Sequence, residues 1–277
     1  RGEHQSKGGS SPIIRFILGF FVMIGALMFL GCPIRMILRL GGGDLNALFG
    51  IAGFAGGIGF GTIFLKKGYS LQRTYALSKL ESAMMPAIQV GLLVLVVTAP
   101  AFIFFSQKGP GAMHAPWLIS LAAGLVVGGL SQFSRLCTVG GFRDLFLFKK
   151  SILIFGYLAV LVGVFVVNIS FGNFHLGFEN QPIAHTDGLW NFLGMALAGF
   201  CSVLLGGCPL RQLIMTGEGN SDSAVTVLGL AAGAAFAHNF GLAASGAGPT
   251  LNGEIAVVVG FIVALIIAVV NTKRANA

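Results

Sequence analysis

Eight long apolar runs joined by short polar stretches dominate the chain, at roughly 13–30, 45–65, 86–106, 117–134, 151–171, 189–206, 223–243 and 254–271. A helix needs about 20 apolar residues to cross a hydrocarbon core of ~30 Å. The pattern therefore predicts an all-α polytopic membrane protein with about eight transmembrane helices, forming one integral membrane domain over 1–277. The stretch from Ser70 to Met85 is polar and apolar by turns. It reads as an amphipathic helix on the membrane surface or as a connecting loop with helical character.

Charge placement orients the runs. Arg1, Lys7 and Arg15 precede or open the first run; Lys66, Lys67, Arg73 and Lys79 follow the second; Lys149 and Lys150 precede the fifth; Lys273 and Arg274 follow the eighth. If each run crosses once, all these groups fall on one side, which should be the cytoplasm, together with both termini of this chain. The opposite side receives 106–116, with one lysine, and 172–188, with Glu179, Asp187 and neither Lys nor Arg. Only 9% of the residues are charged, against roughly 25% in a soluble domain. The net charge of +8 is thus a topology signal in an inner-membrane protein and gives no reason to expect nucleic-acid binding.

A break in the pattern recurs. "GCPIRMILRLGGGD" at 31–44 matches "GCPLRQLIMTGEGN" at 207–220, with Gly, Cys, Pro, Arg and two later Gly identical. Five runs lie between the copies, an odd number, so the second enters the membrane from the opposite face. This is an inverted-topology repeat, with halves placed at about 1–110 and 111–277; such repeats put the substrate path between them. Pro33 and Pro209 suit the first turn of a helix, and the glycines from Gly41 and Gly217 end one. Pro33–Leu40 and Pro209–Thr216 are then re-entrant half-helices about 12 Å long, tolerable at depth only when buried or lining a cavity. Gly31 with Cys32 and Gly207 with Cys208 stand at their N-termini, where exposed N–H groups and the helix dipole favour an anion.

A looser third segment, "GGLSQFSRLCTVGGFRDLFLFKK" at 128–150, has the same parts: Cys137 after a run, Gly140 and Gly141, then Arg143 and Asp144. Cys137 lies 71 residues before Cys208, and a counterpart the same distance before Cys32 would fall upstream of Arg1. The chain also starts without Met, so further N-terminal spans are expected in the natural protein.

The segments "GCPIR", "SRLCTVGGFRD" and "LLGGCPLRQLIMTGEGNSD" resemble the YeeE/YedE sulphur-transport family through nearly the whole chain, and most closely its YedE branch, linked to selenium transport. The resemblance implies internal repeats, short helices bearing cysteines along a permeation path, and thiols that pass a sulfur anion inward through S–H hydrogen bonds. Carried over by motif, that role falls on Cys32, Cys137 and Cys208. The expected cargo is a small selenium or sulfur anion, with thiosulfate as the alternative to a selenium species. A cytoplasmic sulfur- or selenium-handling protein is a further expected partner, besides the lipid bilayer. From another class, a membrane thiol enzyme passing sulfane sulfur or selenium to a cytoplasmic acceptor remains open. No catalytic triad or paired-carboxylate site recurs in any motif, so an enzyme is not expected.

The other candidates read as follows. Arg35 and Arg211 attract the anion, or brace carbonyls or Asp44 and Glu218; charge at membrane depth is too expensive to be accidental. Arg39, replaced by Met215 in the second copy, serves its own face alone. Arg143 with Asp144 reads as an internal ion pair, and Cys201 as packing. His238 reads as a hydrogen-bonded structural residue. Gly53, Gly56, Gly57, Gly59 and Gly61 read as close helix packing, since no GK[ST] follows as a phosphate loop requires. The four cysteines lie within or at the edges of apolar segments, so they read as free thiols. They lack CxxC spacing, the five histidines are scattered, and neither a metal nor a cofactor is expected.

Overall fold

The computed structural model describes residues 6–71, 74–99, 102, 104, 107 and 115–275, with the side chains of 273–275 excepted. Among the described residues the chain forms eleven helices: α1 (Pro12–Phe29), α2 (Pro33–Gly41), α3 (Asn46–Lys66), α4 (Lys79–Thr98), α5 (Trp117–Ser134), α6 (Thr138–Phe148), α7 (Ile152–Ser170), α8 (Gly188–Leu205), α9 (Pro209–Gly217), α10 (Ser221–Asn239) and α11 (Leu251–Ala275). One small antiparallel ribbon pairs β1 (Lys7–Gly8) with β2 (Tyr75–Ala76).

Among the described residues seven stretches are long and apolar enough to cross a bilayer: Pro12–Gly41, Asn46–Lys66, Lys79–Thr98, Trp117–Phe148, Ile152–Ser170, Gly188–Gly217 and Leu251–Thr272. The protein is an all-α polytopic membrane protein. The run read at 223–243 forms α10, whose polar positions, among them Asp222, Ser223, Thr226 and His238, leave it outside that set. The run read at 86–106 begins earlier, at Lys79. The surface helix read from Ser70 to Met85 does not exist as such: Tyr75–Ala76 pairs with the N-terminal strand, and Lys79–Met85 are the first turns of α4. A capping box decides this, with Ser78 accepting from the Glu81 N–H while the Glu81 carboxylate accepts from the Ser78 N–H. Gln72 and Arg73 lie outside the described residues.

The core is built by glycine faces. In α3, a Cβ on Gly53 would lie 2.0 Å from the Phe192 carbonyl oxygen of α8, and one on Gly57 would lie 2.0 Å from that of Ala196. In α10, Gly229 and Gly233 meet the Phe16 and Phe20 carbonyls of α1 at 2.2 and 2.5 Å. All four contacts obey the shift that carries Cys32 onto Cys208, 176 positions. α3 thus lies on α8 as α10 lies on α1, and the block α1–α3 repeats as α8–α10. The turns agree as well: Gly43 and Gly219, equivalent under that shift, both take the left-handed backbone that ends a half-helix, with φ of 100° and 85°.

α4, α5 and α7 lie outside this core, and most of their apolar side chains are exposed, including Leu92, Val94, Leu125, Val126, Phe155 and Val162, although Tyr157 of α7 is buried. Such a surface suits lipid. Lys7, Lys66, Lys67 and Lys79 gather at the end of the molecule that holds the β1–β2 ribbon, called the basic end below. The 171–187 loop closes the opposite end. There Gly42 and Gly43 carbonyls accept from the N–H groups of His175 and Gly177.

Two expectations follow. Gly57→Ala should lower stability by about 1–3 kcal/mol through overpacking against a backbone carbonyl, whereas Gly56→Ala, whose Cβ would find its nearest neighbour at 3.8 Å, should leave the thermal unfolding midpoint in detergent unchanged. His185, in the 171–187 loop, is buried and lowered in pKa by that burial; its Nε2–H donates to the Met28 carbonyl at 2.8 Å, and its buried Nδ1 has no hydrogen-bond partner among the described residues. A folded-state pKa below the unfolded one means that stability is complete above about pH 6.5 and is lost as pH falls through that value toward the folded pKa. Unfolding midpoints measured between about pH 7.5 and 5.5 should fall more for the wild type than for His185→Gln.

Candidate functional site

Each of the three short helices begins at a cysteine. Cys32 and Cys208 cap α2 and α9 with the same extended backbone, φ/ψ of −75°/170° and −72°/165°, and each is followed by its proline at the first helical position. Cys137 caps α6, where its sulfur accepts from the Gly140 N–H at 3.3 Å. Gly31 and Gly207 sit on the far side of each cap and lie against the stems of Arg35 and Arg211.

The three caps converge. The Cys137 and Cys208 thiols face each other closely enough to interact directly, and the backbone N–H groups of Arg211 and Thr138 approach the Cys208 sulfur. Tyr157 of α7 completes the cluster. Its hydroxyl donates to the Pro33 carbonyl at 3.4 Å and lies within electrostatic range of both Cys32 and Cys208, and Phe142 of α6 meets its ring edge-on. Cys137 and Cys208 are buried, while Cys32 is partly exposed. Three helix N-termini thereby direct their positive ends at one small volume lined by sulfur.

The helices leave this volume in opposite directions. From Pro33, α2 runs along α7 until Gly41 touches Val164 and its carbonyl accepts from Asn168 at 3.3 Å, close to the 171–187 loop. α9 runs the other way, until Gly219 lies against the Ser82 carbonyl in the first turn of α4 at the basic end. α6 likewise ends near the basic end, at Lys149 and Lys150.

The arginines separate into distinct roles. The partner of Asp44 is Arg39, at 2.6 Å, and not Arg35. Arg39 also stacks over the Phe29 ring at 4.0 Å and donates to the Phe29 carbonyl, so it joins the end of α1 to the end of α2. Asp44 in turn accepts from the backbone and side chain of Asn46, both at 2.9 Å, and Asn46 donates to the Phe178 carbonyl of the loop. The second copy has Met215 and Asn220 in the places of Arg39 and Asp44. There the cap is neutral, with the Asn220 side chain accepting from the Ser223 N–H at 2.9 Å. Arg211 donates to Gln132 of α5 at 2.9 Å, and Gln132 donates to Glu218, so this arginine reaches Glu218 only through a relay. Arg35 has no hydrogen-bond or ion-pair partner among the described residues, and its Nε is buried.

The remaining candidates fall as follows. Arg143 and Asp144 form an ion pair at 2.8 Å. All four cysteines are free, and Cys201 is fully buried in a separate apolar cluster with Leu197 and Leu204. Gly53, Gly57 and Gly61 pack on α8, while Gly56 and Gly59 make only loose contact with Phe192 and Phe146. His238 is exposed and, among the described residues, holds no hydrogen bond; its place on the outward face of α10 explains the departure from the expected structural bond. Among the described residues no three His, Cys, Asp or Glu side chains gather as a metal site. Sequence reasoning missed Tyr157 and the Arg39–Asp44 pair. The joint exchange of Arg39 and Asp44 for Met215 and Asn220 was the available signal for the pair.

A family model described as sulphur transport matches residues 133–275, just over half of the chain and inclusive of Cys137 and Cys208. No curated protein matches the chain.

Because the Arg39–Asp44 pair is buried, Arg39→Met alone strands a carboxylate and should cost about 3–5 kcal/mol. Arg39→Met with Asp44→Asn, which copies the second repeat, should recover most of that loss in the unfolding midpoint. A double variant no better than the single one would show that Arg39 acts through Phe29 alone.

Proposed function

The chain belongs to the sulphur transport family, a family of sulfur-related transporters, and on that premise we propose that it imports a small sulfur- or selenium-containing oxyanion through a path lined by the thiols of Cys32, Cys137 and Cys208. The observation that carries the reading is the convergence of three cysteine-capped helix N-termini on one volume, with α2 leading to one end of the molecule and α6 and α9 to the other. A helix N-terminus favours negative charge without committing a full cation. A large, polarizable, weakly hydrated anion loses less on leaving water than a small one, and S–H donors can replace part of its shell. Each stop must hold the ion weakly enough for the next to take it.

In this reading the basic end is cytoplasmic in an inner membrane, since short loops rich in Lys and Arg stay inside. Thiosulfate and a selenium oxyanion such as selenite share the chemistry that the thiols recognise. In this reading the protein acts as a transporter and passes the ion without covalent transfer of its sulfur to an acceptor. Tyr157 holds the start of α2 in place beside the path.

Radiolabelled thiosulfate and selenite uptake, each competed with the other, in cells lacking their own importers tests this. Cys208→Ala should lower the rate at least about ten-fold, a loss of the order of one charge-assisted hydrogen bond, and Cys201→Ala should leave it near wild type. Wild-type rates in Cys32→Ala or Cys208→Ala would show that the thiols do not carry the ion.

A further inference from the structure

Two of the thiols carry chemistry that passing an ion by hydrogen bonds does not use. Cys137 and Cys208, 8% and 1% exposed, lie within hydrogen-bond reach of each other at the starts of α6 and α9. Two sulfurs so placed can both bond to one small atom set between them. Among the described residues no third Cys, His, Asp or Glu joins them as a group of three. Cys201 is buried in another cluster, and Cys32 lies across Tyr157.

The surroundings are dry and suit a polar guest. Both cysteines belong to an apolar cluster with Val139, Met195 and Val203, which shields them from bulk water. The Gly140 N–H reaches the Cys137 sulfur at 3.3 Å, and the N–H groups of Arg211 and Thr138 approach that of Cys208. The hydroxyl of Thr138, a residue 1% exposed, lies beside the Cys208 sulfur and has no other partner among the described residues. A buried hydroxyl with one weak sulfur contact is a donor in want of an oxygen.

At such a pair the two candidate cargoes part company. Selenite presents a pyramidal selenium with a lone pair and exchangeable oxygens, a centre that sulfur nucleophiles attack. In thiosulfate the terminal sulfur carries negative charge and repels a sulfur nucleophile, and three oxygens close off the central one.

We propose that the Cys137–Cys208 pair is a covalent trap for selenite, which it holds as one selenium bonded to both sulfurs, while thiosulfate passes unchanged. The proposal rests on the transport reading, which brings the ion to the pair, and it narrows the cargo to thiosulfate or to a selenium ion whose selenium thiols do not attack. Hydrogenselenite takes one proton from solvent and condenses with the two thiols in turn. In each step an S–H and an Se–O bond break, an S–Se and an O–H bond form, and a water leaves. Selenium and both sulfurs keep their oxidation states, so the condensation needs neither oxidant nor reductant. One oxygen stays on selenium, and the Thr138 hydroxyl is a donor available to it. The second bond closes readily because its thiol is already held in place, an advantage that a solitary cysteine lacks.

The test uses the full chain in lipid nanodiscs, exposed to selenite or thiosulfate, washed, and read by intact-mass and peptide mass spectrometry. Thiosulfate uptake is followed in cells given the same exposures. The wild type should retain one selenium per chain, linking the peptides that carry Cys137 and Cys208. It should lose both thiols to alkylation and most of its thiosulfate uptake, and excess dithiothreitol should restore both. Cys137→Ala and Cys208→Ala should retain no selenium after washing, and Cys201→Ala should behave as the wild type does. The wild-type peptides locate the bridge by themselves, so the result stands even where a variant misfolds. Absence of the bridge overturns the trap, as does a persulfide left on either cysteine by thiosulfate, or selenite uptake sustained at the thiosulfate rate. A bridge formed in a protein that moves no thiosulfate upholds the trap and overturns the transport reading instead.

Discussion

The close approach of glycine-lined helix faces is the constraint from which the rest of the structure follows. Helices α3 and α10 lie on α8 and α1 at separations that leave no room for a β-carbon at Gly53, Gly57, Gly229 and Gly233. In lipid there is little hydrophobic drive for helices to associate, so such contact, with its dense dispersion and close backbones, does much of the work. Because the contacts repeat under one sequence shift, they also fix the relation between the repeats. Once α1–α3 and α8–α10 are locked in this way, the short helices between their long members have one place to go. Their N-termini meet in the interior, and their C-termini point to opposite ends.

That arrangement creates an electrostatic opportunity. Broken helices expose N–H groups, and an apolar interior makes unsatisfied N–H groups expensive. The cysteine caps meet the need only in part. Sulfur is a weak acceptor, and a site of weak internal satisfaction is one where a passing anion can compete. A Ser or Asp at these caps would bind the N–H groups more strongly and leave less for a guest. The thiols thus suit a path that must hold an ion briefly.

Much of this was legible in the sequence, for identifiable reasons. The apolar runs are long, and the motif "GCP[IL]R" is specific, so the helices, the half-helices at Pro33 and Pro209 and the opposed orientation of the two copies could be read directly. The limits of α4 could not, because a capping box at Ser78 and Glu81 outweighed an amphipathic pattern that overlapped it. Partner choice among like residues was also hidden. Arg35 and Arg39 are one helical turn apart, and only packing shows that the second reaches Asp44 and Phe29 while the first has no hydrogen-bond or ion-pair partner among the described residues. Tyr157 belongs to no motif, and its place between Cys32 and Cys208 arises from α7 docking along α2.

The account stands on the claim that thiols far apart in sequence share one path. Chemical bridging of Cys137 and Cys208 addresses it most directly. Dibromobimane becomes brightly fluorescent once both its arms have alkylated thiols, and it can be applied to a chain carrying Cys32→Ser and Cys201→Ser with uptake followed in the same cells. The account predicts a bridged, fluorescent protein whose residual uptake is lost, with thiosulfate slowing the bridging. Complete bridging that leaves residual uptake intact would contradict it, and so would the absence of any bridge between two thiols that both react singly.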